Sequence, residues 1–201
     1  MNKLLTAALL TLISVAAHAD TWRVDILIYS DRDYGFGAPQ IGIAPQGYSA
    51  EDAIPIDDRS RLATAGIRML SEGDTLLGTQ RQRLRNSQRF DPVLSLAWLQ
   101  DDPPTRGGPK LLVRHGERLI PLSGEAVHRL EGTIGLTLRR FLHLDVDLQW
   151  SERVAGGLDA TVLREQRRMR SEELHHLDSP RFGVLAHVIR QDQGAQGVGA
   201  N

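Results

Sequence analysis

Leu130-Glu131-Gly132-Thr133-Ile134-Gly135-Leu136-Thr137-Leu138, the turn Arg139-Arg140-Phe141, and then Leu142-His143-Leu144-Asp145-Val146-Asp147-Leu148-Gln149-Trp150 decide the fold. In both arms the large apolar residues recur at every second position. That spacing marks each arm as a strand with one buried face, because successive strand side chains point to opposite sides. Setting Leu138 opposite Leu142, Leu136 opposite Leu144 and Ile134 opposite Val146 brings both apolar rows to one face. A slip of one residue would expose the whole of one row, so this register is well specified.

The next turn, Ala155-Gly156-Gly157-Leu158, leads into a third strand over residues 162–170. The expected register sets Trp150 against Leu163 and Leu144 against Met169 on the oily face, with Asp145 against Arg168 and His143 against Arg170 on the other. Arg167 and Glu165 fall on the oily face, where they must pair with neighbours or line a polar cavity. The three strands form an antiparallel meander with one oily and one charged side.

Working outward, Trp22-Arg23-Val24-Asp25-Ile26-Leu27-Ile28-Tyr29 reads as a strand that becomes apolar on both faces. Residues 30–58 hold seven of the glycines and prolines without a period, which predicts a long surface excursion. Leu62, Ala65, Gly66, Met69 and Leu70 are spaced like one face of a short helix. A second helix is expected over residues 74–88, with Leu77 and Leu84 inward and Arg81, Arg85 and Arg89 on a solvated side. Residues 93–100 are apolar on both faces, as an interior strand would be. His115-Gly116-Glu117 reads as the turn of a short hairpin, and residues 182–190 as the last strand.

The fold class is therefore α+β: an antiparallel β meander, as a curved sheet or incomplete barrel, with one or two helices after the first strand. An outer-membrane barrel fits less well, since aromatic girdles are missing and residues 62–89 read as helical.

The N-terminus carries a different signal. Lys3 precedes an apolar run over residues 4–17, and Ala17-His18-Ala19 matches a small-x-small cleavage pattern. Residues 1–19 are expected to be a secretory signal peptide cut after Ala19, leaving a domain over 20–190 and a flexible tail over 191–201. The apolar run is too short to span a bilayer, so no membrane insertion is expected.

Composition narrows the function. With 24 Lys plus Arg against 25 Asp plus Glu, the chain lacks the basic excess of a nucleic-acid binder. The absence of cysteine excludes disulfides, thiolate metal sites and cysteine nucleophiles. The 22 arginines against two lysines suit bidentate carboxylate recognition, although a codon preference would give the same bias.

One segment carries a family resemblance. Arg167-Arg168-Met169-Arg170-Ser171-Glu172-Glu173-Leu174-His175-His176-Leu177-Asp178-Ser179-Pro180, followed by Phe182-Gly183-Val184-Leu185, resembles the signature of the CsiV family. Support comes from Trp22 to Asp25, Leu94 to Gln100 and Leu130 to Leu144. His176 stands where the family usually has Tyr, and Ser179 where it usually has His. The resemblance implies a noncatalytic, periplasmic peptidoglycan-binding accessory protein. It also implies a link to the cell-wall synthase penicillin-binding protein 1a through that enzyme's outer-membrane lipoprotein activator.

Arginine forks would serve the carboxylates of peptidoglycan stems, and aromatic faces its sugar rings. The candidate contacts are Arg167, Arg168, Arg170 and Trp98, although the arginine cluster also reads as a cross-strand charge ladder and Trp98 as core. Glu173, His175, Asp178 and Pro180 are read as structural members of the motif, with His175 and Asp178 bonding the turn before Pro180. Adjacent histidines point different ways, so no metal and no other cofactor is expected. No nucleophile elbow or phosphate loop is present, and the reading is not an enzyme. The alternatives are a structural adaptor that binds another envelope protein and, less favoured, a cell-wall hydrolase.

Overall fold

The computed structural model describes residues 20–34, 44–122 and 124–191. The expected signal peptide lies outside the described residues, as does the expected tail beyond Gln191. In chain order the elements are β1 (Thr21–Asp31), β2 (Ile54–Pro55), α1 (Arg59–Thr64), β3 (Ile67–Met69), α2 (Gly78–Arg85) and β4 (Phe90–Asp101). Then follow β5 (Lys110–Leu119), β6 (Val127–Leu138), β7 (Leu142–Val154), β8 (Gly157–Met169), β9 (Leu174–Asp178) and β10 (Phe182–Arg190). A 3₁₀ turn, Glu72–Asp74, precedes α2.

The strands form two five-stranded sheets, ordered β3-β4-β1-β10-β9 and β2-β5-β6-β7-β8. All the described pairings are antiparallel except β2 with β5. This is the expected α+β architecture, with the meander forming most of one sheet. The two inner faces share one apolar core that includes Val24, Ile26 and Val184 from the first sheet and Leu144, Val146 and Leu148 from the second. Trp150 and Phe182 stack across it at 6.4 Å. On the outer side of the first sheet, Leu27 and Leu77 are buried where the segment leading into α2 crosses β1.

The β6–β7 register is the expected one, with Leu138 on Leu142 and Ile134 on Val146. The β7–β8 register is not. Leu148 faces Leu163 and Leu142 faces Met169, two residues from the expected pairing. The cause is a turn centred one residue earlier, on Ala155-Gly156, where Gly156 takes φ +95° in the third turn position that requires it. A two-residue shift preserves the face of every side chain. It does change partners, so Arg168 lies opposite His143 rather than Asp145, and Arg164 becomes the partner of Asp147.

Three other expectations are corrected. His115-Gly116-Glu117 is not a hairpin turn, because β6 extends far enough to pair with both sides of it. Gly116 and Glu117 together oppose Arg129 as a bulge, with Gly116 at φ +81°. The first helix ends at Thr64, and Gly66 at φ +69° turns the chain so that Met69 lies in strand β3 instead. The second helix is shorter than expected, and Arg89 lies beyond it, held on Asp31 at 2.7 Å. Residues 93–100 and 182–190 are the interior strand and last strand that were expected.

Candidate functional site

The outer face of the second sheet is a grid whose rows follow from the registers. One row across β5, β6, β7 and β8 reads Lys110, Gly135, Asp145, Gln166, and the next reads Leu112, Thr133, Asp147, Arg164. A further row reads Arg114, Glu131, Gln149, Val162, and at the opposite end stand Thr137, His143 and Arg168.

Residues 46–48 close half of this grid. Gln46 and Gln149 exchange two hydrogen bonds, at 2.9 and 2.6 Å, and Tyr48 Oη donates to Asp147 at 2.8 Å. Arg114 donates to the Tyr48 carbonyl and, at 2.8 Å, to buried Glu131. Burial, and then the bond to Asp147, push the Tyr48 phenol well above its ordinary value, so it stays a donor. The same carboxylate accepts from Arg164 at 2.9 Å and raises that guanidinium further.

The other half carries no such strap among the described residues. Here the turn 139–141 holds Phe141 at 36 % exposure against two guanidiniums. Arg168 lies 3.3 Å from the ring centroid and Arg140 5.5 Å from it, and among the described residues neither has a carboxylate partner. Arg139 and Lys110 line a small pocket of about 90 Å³ beside them, with Asp145 and Gln166. Lys110 reaches Asp145 at 3.6 Å. Cations gathered on an aromatic ring and left without counter-charges make a surface for carboxylates.

Of the residues expected at the site, only Arg168 stands in this patch. Arg167 points to the opposite face of β8 and binds Glu165 at 2.7 Å. Arg170 lies past the strand end, 3.5 Å from Glu173. Trp98 is 1 % exposed in the core, its indole aimed at Gln100. His175 accepts from the Arg170 backbone at 3.1 Å rather than bonding the turn before Pro180. That turn is instead closed by Ser179, whose hydroxyl donates to the Phe182 carbonyl at 2.6 Å. Asp178 stands 3.9 Å from His176. The sequence reading missed Arg139, Arg140 and Phe141, although the register placed their turn beside the end of β8.

The family segment builds a second cluster on the first sheet. Tyr29 bonds His176 through its hydroxyl, stacks on that imidazole at 5.9 Å and meets Phe90 edge-on at 5.3 Å. The ring lies over Gly183, where a Cβ would come within 2.5 Å of Tyr29 Cζ. Burial, followed by the charges of Asp178 and Asp31, pushes the Tyr29 phenol up to about 12. Its folded value thus lies above the unfolded one. The stabilisation is complete below pH 10 and is lost as pH rises toward about 12. We expect the melting temperature to fall more steeply over that window for the native chain than for Tyr29→Phe. Equal slopes would show that Tyr29 does not titrate late.

A third feature is a cleft of about 1140 Å³ along β3, lined by residues that include Arg59, Arg68, Leu62 and Met69.

Neither curated proteins nor solved structures give a match to the chain. Residues 3–191 do match the family described as "Peptidoglycan-binding protein, CsiV", whose resemblance the arginine segment had already suggested. Since that match runs from ahead of β1 to the residue after β10, the chain belongs to the CsiV family of peptidoglycan-binding proteins.

Proposed function

We propose that the protein is a noncatalytic periplasmic accessory that holds peptidoglycan on the open half of the second sheet and supports the penicillin-binding protein 1a pathway. The observation that carries the reading is the pair Arg140 and Arg168 on Phe141, without carboxylate partners among the described residues. Stem peptides offer carboxylates to such forks, and exposed Arg pairs are otherwise weak contributors to stability. The periplasmic location rests on the expected signal peptide and on the family's ligand. No helix among the described residues is long and apolar enough to cross a membrane. Contact with the synthase, or with its outer-membrane lipoprotein activator, is carried by the family resemblance alone.

The test is a pull-down of mature protein with isolated sacculi at low and moderate salt. Replacing both Arg140 and Arg168 by Ala should lower binding by roughly tenfold or more, about 1.4 kcal/mol or above, without changing the melting temperature by more than a few degrees. Arg167→Ala, on the other face, should bind as the native chain does. Soluble muropeptides released in the same tube would replace this reading with a hydrolase. Equal binding by the double variant would remove the patch from the ligand site.

A further inference from the structure

Strand β3 is an edge of the first sheet, and its bonding phase leaves half of its backbone free. Leu70 N–H donates to Ala97 O at 2.8 Å and Asp101 N–H donates to Gly66 O at 2.9 Å. In an antiparallel ladder those bonded pairs alternate with unbonded ones. Gly66, Arg68 and Leu70 therefore turn their polar groups toward β4, while Ile67 and Met69 turn theirs away from it. Among the described residues, the N–H and C=O of Ile67 and Met69 make no hydrogen bond.

The cleft of about 1140 Å³ is lined by this same strand. Its walls combine apolar side chains such as Leu62 and Leu99 with Arg59 and Arg68, neither of which has a carboxylate partner among the described residues. Arg23 is already held by Asp25, and Asp101 accepts from Thr21 at 2.6 Å. Arg59 and Arg68 are thus the two wall guanidiniums that no carboxylate engages. The acidic side chains on the walls are Asp57 and Asp101, whose only side-chain partner among the described residues is the neutral Thr21 hydroxyl on Asp101.

From these two observations we propose that β3 accepts an extended acidic peptide segment of a partner protein as an added strand of the first sheet. Main-chain bonds to Ile67 and Met69 supply the attachment. Apolar residues of the segment rest on the cleft floor, and its carboxylates meet Arg59 and Arg68. A second copy of this chain fits less well, because antiparallel pairing centred on this edge sets Arg68 against Arg68. The inference is independent of peptidoglycan binding on the other sheet and stands or falls without it.

The probe is a seven-residue peptide of alternating Glu and Val, acetylated and amidated at its ends, added to the mature protein. Amide hydrogen exchange should slow at Ile67 and Met69 by roughly tenfold or more while Arg68, already bonded to β4, changes little. Met69→Pro removes a donor that β4 does not use, so the domain should fold and the peptide should bind at least about tenfold more weakly. A peptide N-methylated at alternate residues should not bind the native chain, which keeps the test decisive should Met69→Pro fail to fold. Absence of peptide binding would overturn the proposal. So would binding that leaves both amides unprotected, tight binding of the N-methylated peptide, or self-association of the protein through this edge.

Discussion

Gly132→Ala should lower the melting temperature by more than about 10 °C, beyond the range of most single substitutions. Gly132 sits in β6 directly opposite Leu148, with φ +151°, a conformation that side-chain-bearing residues rarely adopt. A Cβ there would stand 2.7 Å from Leu148 Cα and closer still to Asp147 O. Those are backbone atoms of a strand already bonded on its other side to β8, so β7 cannot withdraw without breaking Leu148 from Leu163. The cost is a steric collision in a buried ladder, of the class that reaches about 4 kcal/mol or more. Gly135→Ala is the control. Its φ is ordinary, and its Cβ would come nearest the flexible Lys110 side chain, at 3.3 Å, with backbone atoms of Pro109 and Lys110 only at ordinary contact distance, so it should cost about 1 kcal/mol or less. Calorimetric scans of the two variants settle the matter. Equal and small shifts would mean that the β6–β7 approach is looser than described.

Asp25→Ala should destabilise by about 3–5 kcal/mol, the usual cost of stripping one partner from a buried ion pair. The carboxylate is 0 % exposed and accepts from Arg23 Nε at 2.8 Å, from Arg23 Nη2 at 3.2 Å and from the Leu76 backbone at 2.8 Å. Arg23 in turn donates to the Asp74 carbonyl. One acidic side chain therefore ties the segment ahead of α2 onto the first sheet. Its loss strands a largely buried guanidinium and an amide together. Urea unfolding should show the midpoint falling while the slope stays near the native value, with Asp25→Asn intermediate. A loss below about 1 kcal/mol would mean that solvent replaces the carboxylate easily.

How much of this was legible depended on the range of the interaction. Face assignment came from the two-residue period, and it survived even where the register of β8 was wrong, since Arg168 and Gln166 kept their outward side. The register itself depended on which of Ala155, Gly156 and Gly157 formed the turn, a choice worth a fraction of the turn's own energy. The bulge at Gly116 looked like a hairpin because both features use a glycine with positive φ. Only the length of β6 distinguishes them. Strand β3 was unreadable as a strand, since three residues carry no period and its partner β4 lies far along the chain. At the site, Arg168 was found through the motif, whereas Arg140 and Phe141 were passed over because a turn between two apolar rows reads as a connector. The strap at Tyr48 had no periodic signal at all. Its place is fixed by one hydrogen bond to Asp147, two exchanged with Gln149 and one from Arg114.

The pairing of β1 with both β4 and β10 has a consequence for how the chain reaches this state. The meander β5 to β8 joins neighbours in sequence through short turns and can form as each strand emerges. The other sheet cannot. Its central strand is the first among the described residues, and Trp22, which pairs with Gln100 on one side, finds its partner on the other side only in Arg190. Closing so long a loop comes late and slowly. Until it closes, Val24, Ile26 and Ile28 wait in an apolar strand that β4 can pair on one side only. This interval, rather than the finished sandwich, is when the protein is most exposed to aggregation and proteolysis.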